Sequence, residues 1–361
     1  VDTYLVTMDA YVAIEGGHVI EARGRAPGTT NGELVFTTAY TGYEESLTDP
    51  SYEEQILTFA YPLIGNYGVR DERFESDRVH PNAAVTRELT DDVAEWLTAE
   101  GVPAVDHIDT RDLVTDVRED GAMACGIAVG DDVTPEDALA ELAECTAMSD
   151  HEDIGAQVSV DAVEVTEGDA DCATVALLDC GAKQSIVSSL VERGATVHRL
   201  PYDATPAEVD AVDPDVLFVS NGPGDPANFD AAVDVVDAFV GDVPVAGICL
   251  GQQIVARALG GTTEKMAFGH RGVNQPVQDV DSGKVVMTTQ NHGYTVADAP
   301  EALEVSQINV NDGTPEGLDS DDLDVITRQY HPEANPGPHD SLSFFDDVLG
   351  MASAKRTVLA D

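Results

Sequence analysis

The sequence predicts an α/β protein of two domains, and three observations carry that prediction. From Cys172 onward, short apolar runs alternate with amphipathic helical segments; before residue 149, strand-like runs dominate, separated by Gly, Asn and Pro; between them, residues 149–171 are acidic and weakly patterned. A chain of 361 residues, 43% of them hydrophobic, is long enough to bury two cores at about 150 residues per domain.

Taken in order, YVAIEGG, GHVIEARG, GELVFTTA and QILTFAY alternate like half-buried strands and are bounded by turn residues. Helical spacing follows over Asp91–Glu100 and Thr110–Asp120, then a strand at ACGIAV and an acidic helix over Pro135–Cys145. These elements make a β-rich α/β domain over residues 1–148, followed by an acidic linker over 149–171. The second domain, 172–361, opens with TVALLD, ATVHRL, DVLFVS and VPVAGI, short runs apolar on both faces. Each is followed by a helix-like segment: KQSIVSSLVERG, TPAEVDAV, NFDAAVDVVDAFVG and GQQIVARALGG. That alternation predicts βαβ units and an open, mostly parallel sheet with helices on both faces. KVVMTTQ, EVSQINV and DVITRQYH extend the sheet before a last helix near Ser341–Ala352, and no internal repeat is present.

Charge narrows the function classes. Lys and Arg number 18 against 68 Asp and Glu, a formal balance of −50. So few scattered cations build no basic face for nucleic acid or an anionic membrane. The acids are interleaved with regular apolar patterning, unlike a disordered acidic tail. A folded protein suited to concentrated salt is expected, because a Debye length of roughly 3 Å at 1 M screens its self-repulsion. The source is therefore expected to be a halophile. No apolar run approaches the ~18 residues of a membrane span, and VDTYLVTMDAY lacks the flank and core of a signal peptide. The cysteines (125, 145, 172, 180 and 249) are odd in number and form no C-x-x-C pair. That usage predicts a reducing, cytoplasmic setting, with neither a disulfide framework nor a metal site.

The sharpest local signal is Val245-Ala246-Gly247-Ile248-Cys249-Leu250-Gly251-Gln252-Gln253. A lone cysteine is most often a small buried hydrophobe. Here it stands between two glycines where a strand pattern becomes a helix pattern, the cysteine counterpart of the G-x-S-x-G nucleophile elbow. The glycines let neighbouring backbone pass close to a sharp turn, and the helix N-terminus favours a negative sulfur. Such a nucleophile needs a base and an orienter. His331 and Glu333, in Gln329-Tyr330-His331-Pro332-Glu333, follow an apolar run, where open α/β sheets place their sites. In isolation H-x-E is a surface turn. Ser220-Asn221-Gly222-Pro223-Gly224-Asp225-Pro226 follows DVLFV and would present backbone N–H groups to an oxyanion, though alone it reads as a plain turn. Together with Cys249, the His331 and Glu333 pair becomes much more specific.

VAGICLGQQ, SNGPGDP, TQNHGYTV (289–296) and YHPEANPGPHD (330–340) resemble the class I, triad-type glutamine amidotransferases. TTAYTGYEESLTDPSYEEQILTFAYPLIGNYGV (37–69) and HIDTRDLVTDVREDGAMACGIA (107–128) resemble the domain peculiar to the small, glutamine-hydrolysing subunit of carbamoyl-phosphate synthetase. The resemblance spans about residues 10–350 and implies a class I amidotransferase-like sheet in the second domain. By position, it implies Cys249 as nucleophile, His331 as general base and acid, and Glu333 as its orienting carboxylate. It implies Gly222, Gly224, Leu250 and Gln253 around the glutamine side chain and oxyanion. Asn291, Gly293 and Tyr294 would hold the amino-acid end, Ser51 would reach in from the first domain, and Gly337 would border the ammonia path. The pattern departs at Gln252 and Tyr294, where many relatives have His and Phe.

The implied partners are L-glutamine and a carbamoyl-phosphate synthetase large subunit carrying ATP, a divalent metal such as Mg, and the bicarbonate chemistry. No cofactor is expected in this chain, which has no G-x-x-x-x-G-K-[ST] and no G-x-G-x-x-G after a strand. Three other readings compete: a free-standing hydrolase, which would not need residues 1–150; a silent interaction subunit, which would lack Cys249 or His331; and a glutaminase serving another synthase, against which the N-terminal resemblance speaks.

Overall fold

A computed structural model describes residues 8–169 and 172–360. The chain divides between His151 and Glu152 into two compact units. Residues 1–7 of the expected first domain, and 170 and 171 of the expected linker, lie outside the described residues.

In the first unit the strand-like runs close into a barrel. Its order is Met8–Ile14, His18–Ala26, Ala104–Asp106, Ala83–Val85, Gln55–Phe59, Gly28–Thr37 and Met123–Gly130. Closure satisfies every edge, which an open sheet of short strands would leave unpaired. Gly28–Thr37, Gln55–Phe59, Ala83–Val85 and Ala104–Asp106 run parallel to their neighbours in that arc, and the remaining pairs are antiparallel. The helices over Asp91–Glu100 and Thr110–Asp120 lie where the sequence predicts them. The first buries Val93, Ala94 and Leu97 in a cluster with Val35, Leu57 and Ala84. The acidic helix, Pro135–Glu144, starts at a Thr134/Asp137 capping box and buries Ala138 against Ala13 and Ala128.

The second unit holds a ten-stranded sheet. Its parallel centre runs Thr196–Pro201, Thr174–Asp179, Val216–Val219, Val245–Ile248, Val325–Arg328. The helix Gln184–Val191 and the last helix, Ser343–Ala360, cover one face, where Ile186, Leu190, Phe344, Phe345 and Val348 pack with Val175, Leu177, Val216 and Phe218. The helices Asp230–Phe239 and Leu250–Ala258 pack on the central strands as well and bury Val235, Val236, Ile254 and Val255.

Two features differ from the sequence reading. The stretch expected to be a linker contributes a helix, Ile154–Val158, and an edge strand, Glu164–Thr166, antiparallel to Thr196–Pro201. Ile154 and Val158 are buried and the Val160 N–H donates to Asp179, 2.8 Å away, so tertiary contacts order a segment whose own pattern is weak. Beyond Gly261 a long antiparallel hairpin pairs Thr262–Asp279 with Val285–Asp298, of which only KVVMTTQ is legible in the sequence. Its buried residues include the consecutive Gln290, Asn291 and His292, so polar side chains are buried on both faces where a strand pattern looks for apolar ones. Among the described residues, no helix is long and apolar enough to cross a membrane.

Candidate active site

The strand Val245–Ile248 ends at Cys249, which is the N-cap of the helix Leu250–Ala258. Cys249 sits at φ 56° and ψ −107°, a backbone conformation that costs a non-glycine residue ~1–3 kcal/mol. The neighbouring glycines make the bend possible. A Cβ on Gly247 would lie 2.8 Å from the Gly251 carbonyl carbon, and one on Gly251 would collide with the Val219 carbonyl oxygen. The Cys249 N–H donates to the Arg328 carbonyl at 2.7 Å, tying the elbow to the adjacent strand. Leu250 opens the helix, whose first N–H groups have no acceptor within it.

His331 lies three residues beyond the strand Val325–Arg328, and its N–H donates to Thr289 O at 2.9 Å. The imidazole is buried, with Nδ1 2.6 Å from Glu333 Oε1. The other ring nitrogen, Nε2, is buried with no nitrogen or oxygen partner among the described residues, which leaves it to the Cys249 sulfur. Burial opposes a charge on this ring, but the Glu333 carboxylate and the Cys249 sulfur outweigh it, and the His331 pKa is pushed up to about 10. The sulfur and the ring therefore lie within interaction range, brought together from positions 249 and 331. The Cys249 thiol also lies 3.8 Å from Asn291 O.

Beneath the pair is a group that sequence reasoning missed. Lys183 is 2% exposed; its Nζ lies 3.2 Å from Glu333 Oε1 and donates to the carbonyls of Ala334 (2.7 Å) and Asn335 (2.8 Å). Burial works against the Glu333 charge, yet Lys183 and then His331 hold this carboxyl down at about 2. A signal was available: Lys183 is one of only four lysines in the chain and follows the first strand of the parallel sheet, at its C-terminal end.

The remaining expected residues divide. Gly222 and Gly224 lie in the turn after Val216–Val219. A Cβ on Gly222 would meet the Cys180 carbonyl and would lie 2.9 Å from Leu250 Cδ2, so the turn abuts the elbow. Gly224, at φ 87°, packs on Ile154, so the helix from the acidic stretch backs this turn. Asn291, Gly293 and Tyr294 share the strand Val285–Asp298. Gln253 is buried, with Nε2 donating to Tyr294 O (2.8 Å) and Gln329 Oε1 (3.1 Å), so its amide nitrogen already braces that strand. Gly337, at φ 138°, packs on Thr289. Ser51 belongs to the first unit, in a 3-10 turn where its N–H donates to Asp49 Oδ1 at 2.9 Å. Gln252 Oε1 accepts from Thr327 Oγ1 at 3.1 Å, a contact to the neighbouring strand.

His270, His292 and Glu316 bring three metal-capable side chains within 4.8 Å of one another. Their atoms are engaged elsewhere: His292 Nδ1 with Tyr294 O (2.8 Å), His292 Nε2 with Gln290 Oε1 (3.1 Å), and His270 Nε2 with Asp312 Oδ2 (2.8 Å). Burial disfavours the charged His270, but Glu316 and Asp312 more than offset this and raise its pKa, which favours the protonated ring over a metal-binding one. The group braces the hairpin behind the site.

A strained cysteine, a buried imidazole and a buried carboxylate stand in series, an arrangement chemically able to supply a nucleophile, a proton carrier and an orienter. Residues 176–351 match the family Glutamine amidotransferase class-I, and residues 12–127 match Carbamoyl-phosphate synthase small chain, CPSase domain. The chain is 73% identical over 349 residues to a carbamoyl phosphate synthase small chain of Halobacterium salinarum, covering 97% of this chain and 98% of that one. It is 43% identical to the Archaeoglobus fulgidus small chain, covering 97% of this chain and 100% of that one. To that of Methanosarcina acetivorans it is also 43% identical, over 95% and 98% of the two chains.

Proposed function

The chain belongs to the carbamoyl phosphate synthase small-chain family and carries its glutamine-hydrolysing function, and from that premise we propose that Cys249, His331 and Glu333 perform the hydrolysis. The observation that carries this assignment is His331, whose ring is held by Glu333 on one side and is electrostatically coupled to the Cys249 sulfur. An imidazolium beside the sulfur is the partner a thiolate nucleophile needs.

The sulfur attacks the side-chain amide carbon of L-glutamine, a C–S bond forms, and the carbonyl electrons move to oxygen. Backbone N–H groups of Leu250 and the Gly222 turn receive that oxyanion. As the C–N bond breaks, His331 hands its proton to the departing nitrogen, releasing ammonia and leaving a γ-glutamyl thioester. His331 then takes a proton from water, the resulting hydroxide attacks the thioester, and glutamate leaves as the thiolate is regenerated. Glu333, held charged by Lys183, keeps Nδ1 committed so that Nε2 is the nitrogen that cycles protons. Gln253, Asn291, Gly293 and Tyr294 surround the rest of the substrate, and Gly337 borders the ammonia exit. The partner is a large subunit that supplies ATP, its divalent metal and the carbamoyl phosphate chemistry. An enclosed route to it keeps ammonia from protonation in bulk water.

Cys249→Ser tests the assignment in complex with the large subunit. Glutamine-driven synthesis should fall by at least about 10⁴-fold while synthesis from added ammonia persists. Retained glutamine hydrolysis would remove Cys249 from the mechanism.

A further inference from the structure

Arg271 is a buried cation that the reaction above leaves unused. It lies on the strand Thr262–Asp279, directly opposite Asn291 in the pairing with Val285–Asp298, and is 3% exposed. Its Nη1 donates to Asn291 Oδ1. A guanidinium can only donate, so this bond decides which end of the Asn291 amide is oxygen. The NH₂ end, Nδ2, is therefore turned away from Arg271, and it is buried without a hydrogen-bond partner among the described residues, on a residue that is itself 6% exposed. A buried unspent donor costs free energy unless something arrives to accept from it. Its place says what arrives: the backbone carbonyl of the same residue lies 3.8 Å from the Cys249 sulfur. Two residues on, Gly293 leaves the guanidinium room, since a Cβ there would stand 3.4 Å from Arg271 Nη2.

We propose that Arg271 is a positioning residue that selects the substrate through its α-carboxylate. By holding Asn291 Oδ1 it aims Nδ2 at that carboxylate, and its fixed positive charge lowers the cost of burying the anion. This rests on the glutamine-hydrolase reading and adds the specificity element to it. A neutral group in place of the carboxylate gains nothing from the cation behind Asn291, so glutamine α-amide should be a poor substrate.

The test is steady-state glutaminase kinetics of the small–large complex with L-glutamine and with L-glutamine α-amide. Arg271→Met should raise KM for glutamine by about 10–100-fold, with kcat within about three-fold of wild type, because a charge-assisted contact of the ground state is lost. The preference for glutamine over its α-amide should shrink by a similar factor. Arg271→Lys keeps a cationic donor and should recover most of the lost affinity. Should Arg271→Met fail to fold, Arg271→Gln, uncharged but polar, carries the same readout. Unchanged KM and preference would overturn the proposal, as would a loss confined to kcat, which would assign Arg271 to the chemical step. Failure of the underlying reading looks different: the wild-type complex would then show no Cys249-dependent glutamine turnover against which to compare the variants.

Discussion

Asp106 in the barrel and Glu333 in the sheet unit are both buried carboxylates held below the usual carboxylate range, but their surroundings are built to different ends. Asp106 is saturated. Its oxygens accept from Arg23 Nε and Nη2 (both 2.6 Å), Arg25 Nη1 (2.8 Å), His107 Nδ1 (2.9 Å) and the Leu89 N–H (3.3 Å). Glu333 directs one oxygen at His331 and Lys183 and leaves Oε2 buried with no side-chain partner among the described residues. Nearby, neither His331 Nε2 nor Asn291 Nδ2 has a nitrogen or oxygen partner among the described residues. A saturated charge network closes a structure, whereas an unsaturated one in a packed interior is kept because a reactant completes it. On the proposed function, the contrast separates a carboxylate that holds the fold from one that serves chemistry.

Three experiments probe that contrast. The largest effect is expected at Glu333→Gln, where the ring loses the acceptor that fixes its tautomer. Glutaminase kcat should drop by about 10³–10⁴-fold with little change in melting temperature, read by kinetics beside calorimetry. A stability loss with normal kcat would make Glu333 a second Asp106.

Asp106→Asn should do the reverse. It removes the anion from between Arg23 and Arg25 and should cost about 3 kcal/mol of stability, while kcat of the folded fraction stays put. The pH dependence follows from the sign of the shift. Burial raises the Asp106 pKa, Arg23 and Arg25 lower it further, and the net direction is down. Its contribution is therefore present above the unfolded value of about 3.9 and is lost as pH falls through the lower folded value. Denaturation followed in concentrated salt should show the gap between wild type and variant closing only below about pH 4. A gap that shrinks near neutrality would point to another group.

The smallest effect concerns salt. With a formal charge of −50, both proteins should lose stability together as salt is withdrawn. The difference between wild type and Asp106→Asn should barely move, because buried pairs are screened far less than surface charge. A gap that tracks ionic strength would show that the Arg23 side, which is 33% exposed, dominates the interaction.

Legibility in the sequence tracked locality. The helices Asp91–Glu100 and Thr110–Asp120 and the runs TVALLD, DVLFVS and VPVAGI announced themselves, since their apolar period is the one their own backbone imposes. The elbow was equally plain, because Gly247 and Gly251 answer to backbone atoms only a few residues away or on the next strand. Ile154–Val158 was hidden, as two apolar residues among acids carry no period and only packing under Gly224 and Gly181 orders them. The hairpin partner Thr262–Asp279 was hidden for a related reason: its buried positions include His270 and Arg271, which read as surface until their partners across the strand are known.

The amino-acid order by itself determined the short doubly buried strands, the bend that presents Cys249, and the H-x-E pair with its stiff proline, all set by interactions along a few consecutive residues. Only the tertiary structure decided that Lys183 lies under Glu333, that Arg271 sets the orientation of Asn291, and that the imidazole from position 331 meets the sulfur at 249. Those meetings arise because parallel strands gather their C-terminal ends at one edge of the sheet, and strand pairing places side chains opposite one another regardless of their distance along the chain.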